Sequence, residues 1–334
     1  MSDFNSLERL NQKTTALRQE LGKVVVGQNA VVEQLLIALL SKGHALLTGV
    51  PGLAKTLMVS SLARVLKLSF KRIQFTPDLM PSDITGTEVL QEDPTTRQRT
   101  FRFIQGPVFA NILLADEINR TPPKTQAALL EAMQERKVTV AGADHLLPKP
   151  FFVLATQNPI EQEGTYPLPE AQLDRFLLMV RVGYPTDAEE AEIMRRPPPD
   201  TSTLSPLLDQ AELEELQELV RGIAVSDTVL DFARRITRLS RPGTPEAADY
   251  AARLIQWGAG PRASTSLIAA ARARAALHGR AHATPEDIDA IAQPVLRHRI
   301  LPSYNAQGEG LDADSLITRL IQSAKTRLPA ALAK

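Results

Sequence analysis

The sequence contains no cysteine. A disulfide bond, a zinc site built from thiolates and a cysteine nucleophile are therefore excluded. The formal net charge is zero, because 38 lysine and arginine residues balance 38 aspartate and glutamate residues. A protein that coats nucleic acid or binds membranes through a polybasic surface would be basic, so both functions are disfavoured.

Long apolar runs are missing as well. The N-terminal segment MSDFNSLERL has no basic start followed by an apolar stretch, so it does not resemble a signal peptide. One of the longest apolar stretches, residues 31–40, is interrupted by Glu33 and Gln34 and is too short to cross a bilayer. We expect a cytoplasmic protein without a membrane span, and the lack of cysteine agrees with a reducing cytosol.

The length of 334 residues predicts two domains rather than one small core. In residues 1–184, short apolar segments alternate with amphipathic ones. Predicted strands cover residues 44–50, 70–75, 112–115, 151–156 and 177–182, and predicted helices cover residues 29–42, 55–66 and 122–135. This alternation predicts an α/β domain with a mostly parallel sheet covered on both faces.

Two further segments of the first domain, residues 87–104 and 137–147, predict inserted hairpins. Residues 185–204 contain three consecutive prolines and predict a linker. Residues 205–334 are rich in Ala, Leu, Glu and Arg at helical spacing, which predicts an all-helical second domain with Trp257 in its core. Its predicted helices cover residues 208–221, 226–240, 245–257, 262–278, 285–298 and 312–327.

The strongest local signal is the glycine-containing loop GVPGLAKT, residues 49–56, between a predicted strand and a predicted helix. Its backbone N–H groups and the helix N-terminus suit a phosphate chain. Lys55 would supply a full positive charge, and Thr56 a hydroxyl for magnesium. The usual loop has glycine where Ala54 stands. We therefore predict a helical backbone at Ala54, with the strained positions at Gly49 and Gly52.

Two carboxylates, Asp116 and Glu117, end the apolar segment 112–115. Asp116 could hold a hydrated magnesium ion, and Glu117 could deprotonate an attacking water. A solvated strand end is the alternative. Asn158 ends another apolar segment and could orient the same water, although Asn158 taken alone is better explained as a turn-forming asparagine before Pro159.

Two arginines lie in settings that suit a developing phosphate charge. Arg175 precedes the predicted strand 177–182, and Arg262 begins a predicted helix of the second domain. Surface ion pairs are the alternative for both. The five histidines are scattered and lack acidic companions at ligand spacing, so we expect no metal site among them.

Taken together, the segments GVPGLAKT, LLADEINR, ATQNP, PEAQLDRF and GPRAS resemble, in order, the signatures of the AAA+ superfamily and within it the MoxR family. The resemblance extends from about residue 7 to residue 330. It implies a P-loop NTPase core with a parallel sheet, followed by an all-helical lid domain. Alanine before the lysine is common in MoxR-type loops.

The resemblance implies a role for each motif residue. Lys55 and Thr56 would be the Walker A contacts, Asp116 and Glu117 the Walker B pair, and Asn158 sensor 1. Arg175 would be the arginine finger for ATP in a neighbouring subunit, and Arg262 would be sensor 2, which reports the γ-phosphate to the lid. The implied nucleotide-binding residues are Val26, Gly27, Gly49, Val50, Pro51, Gly52, Leu53, Ala54, Lys55, Thr56 and Leu57, with Thr56 and Asp116 at the metal.

The function implied by the resemblance is ATP hydrolysis with ATP and Mg²⁺ in a homo-oligomeric, hexameric ring that remodels a protein client. A partner with a von Willebrand factor A domain is also implied. Three alternatives remain at this point: a nucleotide-gated binding module, a magnesium-chelatase-like subunit and a nucleic-acid motor. Neutral charge makes nucleic acid the least expected partner.

Overall fold

The computed structural model describes residues 2–50, 52–92, 99–159 and 164–326, with backbone only for residues 2–7. Pro51, the tip of the first predicted hairpin and the end of the last predicted helix lie outside the described residues.

The helices of the first domain are α1 (Ser2–Leu21), α2 (Asn29–Leu40), α3 (Lys55–Val65), α4 (Pro81–Thr85), α5 (Pro123–Glu135) and α6 (Glu170–Leu173). Its strands are β1 (Ala45–Thr48), β2 (Phe70–Gln74), β3 (Gly86–Glu92), β4 (Arg99–Gln105), β5 (Ile112–Asp116), β6 (Lys137–Val140), β7 (Ala143–Leu146), β8 (Phe152–Gln157) and β9 (Leu178–Arg181).

Five of these strands form a parallel sheet in the order β2-β5-β8-β1-β9. The predicted α/β fold with a parallel sheet is confirmed. Since the strands are parallel, the chain leaves all of them at the same edge, and the loops after β1, β5 and β8 meet there. The central strands β1, β5 and β8 are almost entirely buried, as their continuous apolar sequences require.

Both faces of the sheet are covered by apolar clusters. Helices α4 and α5 pack on one face through residues such as Ile84, Leu129 and Met133. Helices α1, α2 and α3 cover the other face, and their cluster continues without interruption into the second domain. The two domains therefore share one hydrophobic core.

The second half of the chain is mainly helical. Its elements are α7 (Asp187–Arg195), α8 (Gln210–Arg221), α9 (Asp227–Leu239), α10 (Ala251–Leu254), β10 (Ile255–Trp257), α11 (Pro261–Leu277), α12 (Pro285–Leu296), β11 (Leu301–Pro302), α13 (Tyr304–Gly308) and α14 (Ala313–Lys325). Two 3-10 turns lie at Ile118–Arg120 and Thr201–Thr203. The segment predicted as a linker thus contains α7. None of the helices in the described ranges is long and apolar enough to cross a membrane.

The predicted helical domain is confirmed, with one short antiparallel pair, β10 with β11, inside it. Two predictions for this half are wrong. The predicted helix 245–257 is only the four residues of α10, since the chain before it forms turns, in which the Ala248 N–H donates back to the carbonyl oxygen of Leu239, and β10 begins at Ile255. Trp257, expected in the core, ends β10 with 67% of its surface exposed.

Both predicted hairpins are present as antiparallel pairs, β3–β4 and β6–β7. The turn of the second has positive φ at Ala141 and Gly142, the geometry of a tight two-residue hairpin. The hairpins touch each other, because the rings of Phe103 and His145 stack with centroids 3.9 Å apart.

Candidate functional site

The loop after β1 has the geometry that a phosphate chain requires. Gly52 has a φ of 84°, a conformation that glycine adopts without strain. Gly49 does not have positive φ, but a Cβ there would lie 2.5 Å from the carbonyl oxygen of Val182. Both glycines are therefore required. Gly49 allows close packing against the residue that follows β9, and Gly52 allows the left-handed backbone conformation.

Ala54 contradicts its prediction. Its φ of 53° and ψ of 24° place it in the left-handed region instead of the helical one. The chain must turn sharply from the loop into α3, whose first residue is Lys55. Alanine makes that turn at a cost of about 1–2 kcal/mol relative to ordinary backbone geometry, which explains why glycine is usual at this position.

Lys55 lies at the centre of the site. Its Nζ donates a hydrogen bond to the carbonyl oxygen of Gly49 at 2.7 Å. Burial lowers the pKa of Lys55, while the nearby charges of Asp116 and Glu117 act to raise it. The half-buried ammonium group therefore lies near both carboxylates.

The Asp116 carboxylate and the Glu117 backbone are held by a threonine, Thr156, that was not predicted. The Thr156 hydroxyl donates to Oδ1 of Asp116 at 2.6 Å and accepts the backbone N–H of Glu117 at 2.8 Å. Glu117 has a φ of 56°, so the backbone turns sharply between the two acids. Thr156 thus sets their relative orientation. Its position follows from the β5–β8 register, in which Ala115 pairs with Ala155.

The other neighbours of the carboxylates were also not predicted. Nη2 of Arg72 donates to Oδ2 of Asp116 at 2.6 Å. The Glu117 carboxylate is held in a similar way: its Oε2 accepts from Nε2 of Gln74 at 2.9 Å and from Nη1 of Arg120 at 3.1 Å. Arg72 and Gln74 lie on β2, next to β5 in the sheet. Strand order, which the sequence does not reveal, brings them to the site.

Asn158 follows β8 and is 6% exposed. Because β5 and β8 are parallel neighbours, Asn158 lies at the same sheet edge as Asp116 and Glu117. The structure therefore brings together the phosphate loop, the acidic pair and this asparagine. Thr56 follows Lys55 in the first turn of α3, where its hydroxyl is partly buried.

A cavity of about 350 Å³ adjoins the phosphate loop. The walls of this cavity include Val26, Leu53 and Leu57, all of which were predicted to contact the nucleotide. Gly27 turns the chain with a φ of 65°, and a methyl group there would collide with the Glu189 carboxylate on α7. Another part of the wall was not predicted and comes from Pro185, Ile193, Arg196, Pro197, Pro198, Pro199, Asp200 and Thr203.

The two predicted arginines, Arg175 and Arg262, are linked through Asp174. Nε of Arg175 donates to Oε1 of Gln134 at 3.0 Å. Nη1 of Arg262 is 3.4 Å from Oδ2 of Asp174, the residue beside Arg175. Among the described residues, the hydrogen-bond and ion-pair partners given for these two side chains fall within residues 134–174.

Arg299 anchors this segment to the lid domain. Its Nε donates to Oδ1 of Asp174 at 2.7 Å, and its Nη2 to the carbonyl oxygen of Phe176 at 2.7 Å. The side chain is almost fully buried. A buried guanidinium with this many acceptors holds residues 174–177 rigidly. No sequence motif surrounds Arg299, so nothing in the pattern marked it.

The residues of the site fit a magnesium nucleotide. The apolar cavity suits a purine ring, and the adjoining loop carries the glycines and the lysine that a triphosphate needs. Oxygen donors from Thr56 and Asp116 suit Mg²⁺, which prefers carboxylate and hydroxyl ligands and retains waters. The two buried histidines belong elsewhere: His44 and His298 hydrogen-bond to backbone groups.

Known proteins similar to this chain include ATPases and MoxR proteins. A family model described as "ATPase family associated with various cellular activities (AAA)" matches residues 44–178, and an AAA lid domain model matches residues 247–320. "Chaperone MoxR1" of Mycobacterium tuberculosis is 45% identical over 304 residues, 91% of this chain and 80% of that protein. "Protein MoxR" of Paracoccus denitrificans is 33% identical over 92% of this chain and 94% of its own length. A crystal structure of a candidate ATPase from Cytophaga hutchinsonii superimposes with a TM-score of 0.87 at 39% identity, covering 95% of this chain and 96% of that one.

Proposed function

Because the chain belongs to the MoxR family of AAA+ ATPases, we propose that it is a ring-forming motor that hydrolyses ATP to remodel a protein client. The observation that carries the proposal is the cluster of Lys55, Asp116 and Glu117 beside a cavity of nucleotide size. A strand-end acidic pair with no phosphate loop opposite it would have only a structural role.

Each residue of the cluster has a chemical task in this proposal. Lys55 and the loop N–H groups hold the β- and γ-phosphates. Glu117 accepts the proton of the attacking water, which Asn158 aligns. Thr56 and Asp116 would hold magnesium, which when bound would offset charge on the phosphate oxygens. Thr156 holds the Asp116 carboxylate and the Glu117 backbone in a fixed relative arrangement.

The arginine finger is proposed to act between subunits. Arg175 is anchored through Gln134 and lies beside the pair of Asp174 and Arg262. We propose that Arg175 reaches the γ-phosphate bound by the next subunit, and that Arg262, as sensor 2, reports the γ-phosphate to the lid. Such an interface joins two different surfaces, so repetition closes a ring. A hexamer is the count that the family resemblance implies.

A protein client fits the surface of the hairpins better than nucleic acid does. Leu90 and Phe101 form a cross-strand pair on β3–β4 with 54% and 72% of their surfaces exposed. In the described part of this hairpin the charges of Glu92 and Arg99 pair with each other, so this pair offers no net positive charge to a phosphate backbone. Exposed apolar pairs of this kind suit a hydrophobic protein segment. We propose the same surface for a partner with a von Willebrand factor A domain.

The first test replaces the proposed base. Glu117→Gln keeps the size of the side chain but cannot accept a proton, so we expect nucleotide binding to persist while turnover falls by about 100-fold or more. Steady-state phosphate release and binding of a fluorescent ATP analogue measure the two effects. Glu131→Gln on the exposed face of α5 is the matched control and should behave as wild type. Wild-type turnover in Glu117→Gln would contradict the proposal.

A further inference from the structure

Arg72 makes a contact that the roles described so far do not require. It lies on the edge strand β2, on the same face as Gln74, and its guanidinium reaches across to β5. Nε and Nη2 both donate to Oδ2 of Asp116, at 3.1 and 2.6 Å, and Nη2 also donates to Oε1 of Gln74 at 2.8 Å. The Asp116 side chain is only 15% exposed, so the pair is partly shielded from water.

These contacts occupy much of the carboxylate that should serve the metal. A carboxylate has about four acceptor positions in total. Arg72 uses Oδ2 twice, and Thr156 uses Oδ1 at 2.6 Å. A hydrated magnesium ion that approaches Asp116 therefore meets a full positive charge hydrogen-bonded to the same oxygen, and the two cations compete for it.

The same charge has the opposite effect on the nucleotide. The phosphate loop contributes Lys55, whose ammonium is near Asp116. Arg72, bound to Asp116, is therefore also close to the triphosphate. Its positive charge offsets part of the negative charge of Asp116, which would otherwise repel the triphosphate. Removing this guanidinium should favour a metal ion and disfavour a metal-free nucleotide.

We propose that Arg72 is a positioning residue that competes with magnesium for Asp116 and so sets how strongly nucleotide binding depends on the metal. The proposal rests on the proposed Mg²⁺-ATP site. It extends that function, because a residue of strand β2 would then control how readily the site binds the metal. The chain continues from β2 through α4 into the hairpin β3–β4.

The test measures the metal dependence of nucleotide affinity in the full-length protein. All proteins carry Glu117→Gln, which prevents turnover. The affinity for a fluorescent ATP analogue is measured once with excess Mg²⁺ and once with a chelator. The ratio of the two dissociation constants reports the coupling between metal and nucleotide.

Arg72→Gln removes the charge and the forked donor while keeping a polar side chain. We expect the chelator-to-magnesium ratio to rise at least about fivefold, through weaker metal-free binding and unchanged or tighter magnesium-dependent binding. Arg72→Lys keeps the charge without the two parallel donors and should give an intermediate ratio. Lys71→Gln loses the same charge from the adjacent, exposed residue on the opposite face of β2 and should change the ratio by less than about twofold.

The outcomes separate the two proposals. An unchanged or lower ratio in Arg72→Gln, with the parent protein binding the analogue normally, overturns the role of Arg72 and leaves the ATPase proposal intact. A change in Lys71→Gln equal to that in Arg72→Gln also overturns it, because the effect would then be general charge. No binding of the analogue by the parent protein under either condition overturns both proposals.

Discussion

At the scale of single residues, the phosphate loop carries a strained alanine that can be tested directly. Glycine has no Cβ penalty in the left-handed region, so Ala54→Gly should raise the free energy of unfolding by about 1 kcal/mol, even after its greater freedom in the unfolded chain is counted. Urea unfolding measures the change. The control Ala127→Gly, on the exposed side of α5, should lower stability by about 1 kcal/mol. A loss of stability in Ala54→Gly would show that the loop accommodates alanine without strain.

A buried histidine predicts how stability depends on pH. Burial lowers the pKa of His44 from 6.5 to about 4, and its Nδ1 accepts the backbone N–H of Val153 at 3.0 Å. Below pH 6.5 the unfolded chain binds a proton that the native state refuses, so stability falls as the pH falls towards 4. From about pH 7.5 to about pH 5, His44 alone should remove about 2 kcal/mol. The pKa of His298 is also lowered by burial and adds to the loss in the same direction.

Urea unfolding across this pH range checks the prediction. The matched variant His44→Gln is less stable near neutral pH but should show a shallower slope, because it removes one of the titrating groups. Stability that stays flat or increases on acidification in the wild-type protein would contradict the assignment of a neutral, buried His44.

At the scale of elements, a buried aspartate at the start of α12 joins two lid helices. The side chain of Asp287 is fully buried and accepts from Nη1 of Arg274 at 2.6 Å, from Nη1 of Arg280 at 2.6 Å, and from the backbone N–H of Thr284 at 2.9 Å. Asp287→Ala would leave two guanidinium groups without their shared partner, which should cost about 3–5 kcal/mol.

A neighbouring aspartate supplies the control for this prediction. Asp289 pairs with Lys325 at 2.5 Å, but both side chains are more than a third exposed. Asp289→Ala should therefore cost less than about 1 kcal/mol. Chemical unfolding of both variants makes the comparison, and equal losses would mean that burial does not decide the strength of these pairs.

The sequence predicted most elements because their patterns are local. The strands β1, β5 and β8 are continuous apolar segments with polar ends, and the motif residues follow them directly. What it did not predict depends on partners distant in sequence. Thr156 and Arg72 acquire their roles only through the pairing of β5 with β8 and with β2. Trp257 was placed in the core because the alanine-rich segment before it has helical spacing, whereas pairing with β11 turns the chain into a short strand.

At the scale of the whole molecule, the lid is joined to the nucleotide-binding domain by more than a linker. One apolar cluster extends from α2 to α14, and Nε2 of Gln217 donates to the carbonyl oxygen of Leu39 at 2.7 Å inside it. Separating the domains would expose this shared core to water. In the proposed ring we expect nucleotide state to pass mainly between subunits, through residues 174 and 175 and through Arg262, which pairs with Asp174.

The central claim, hydrolysis at Lys55 and Glu117 assisted by Arg175 of the next subunit, is tested most directly by mixing inactive variants. Lys55→Ala keeps an intact Arg175, and Arg175→Ala keeps an intact nucleotide site, so a mixed ring regains complete sites at some interfaces. At equal amounts with random mixing and independent sites, about a quarter of wild-type ATPase activity should return. Mixing Lys55→Ala with Glu117→Gln should return none, because both variants lack a working nucleotide site. No recovery at any ratio of Lys55→Ala to Arg175→Ala, in rings shown by affinity tags to contain both variants, would contradict the account.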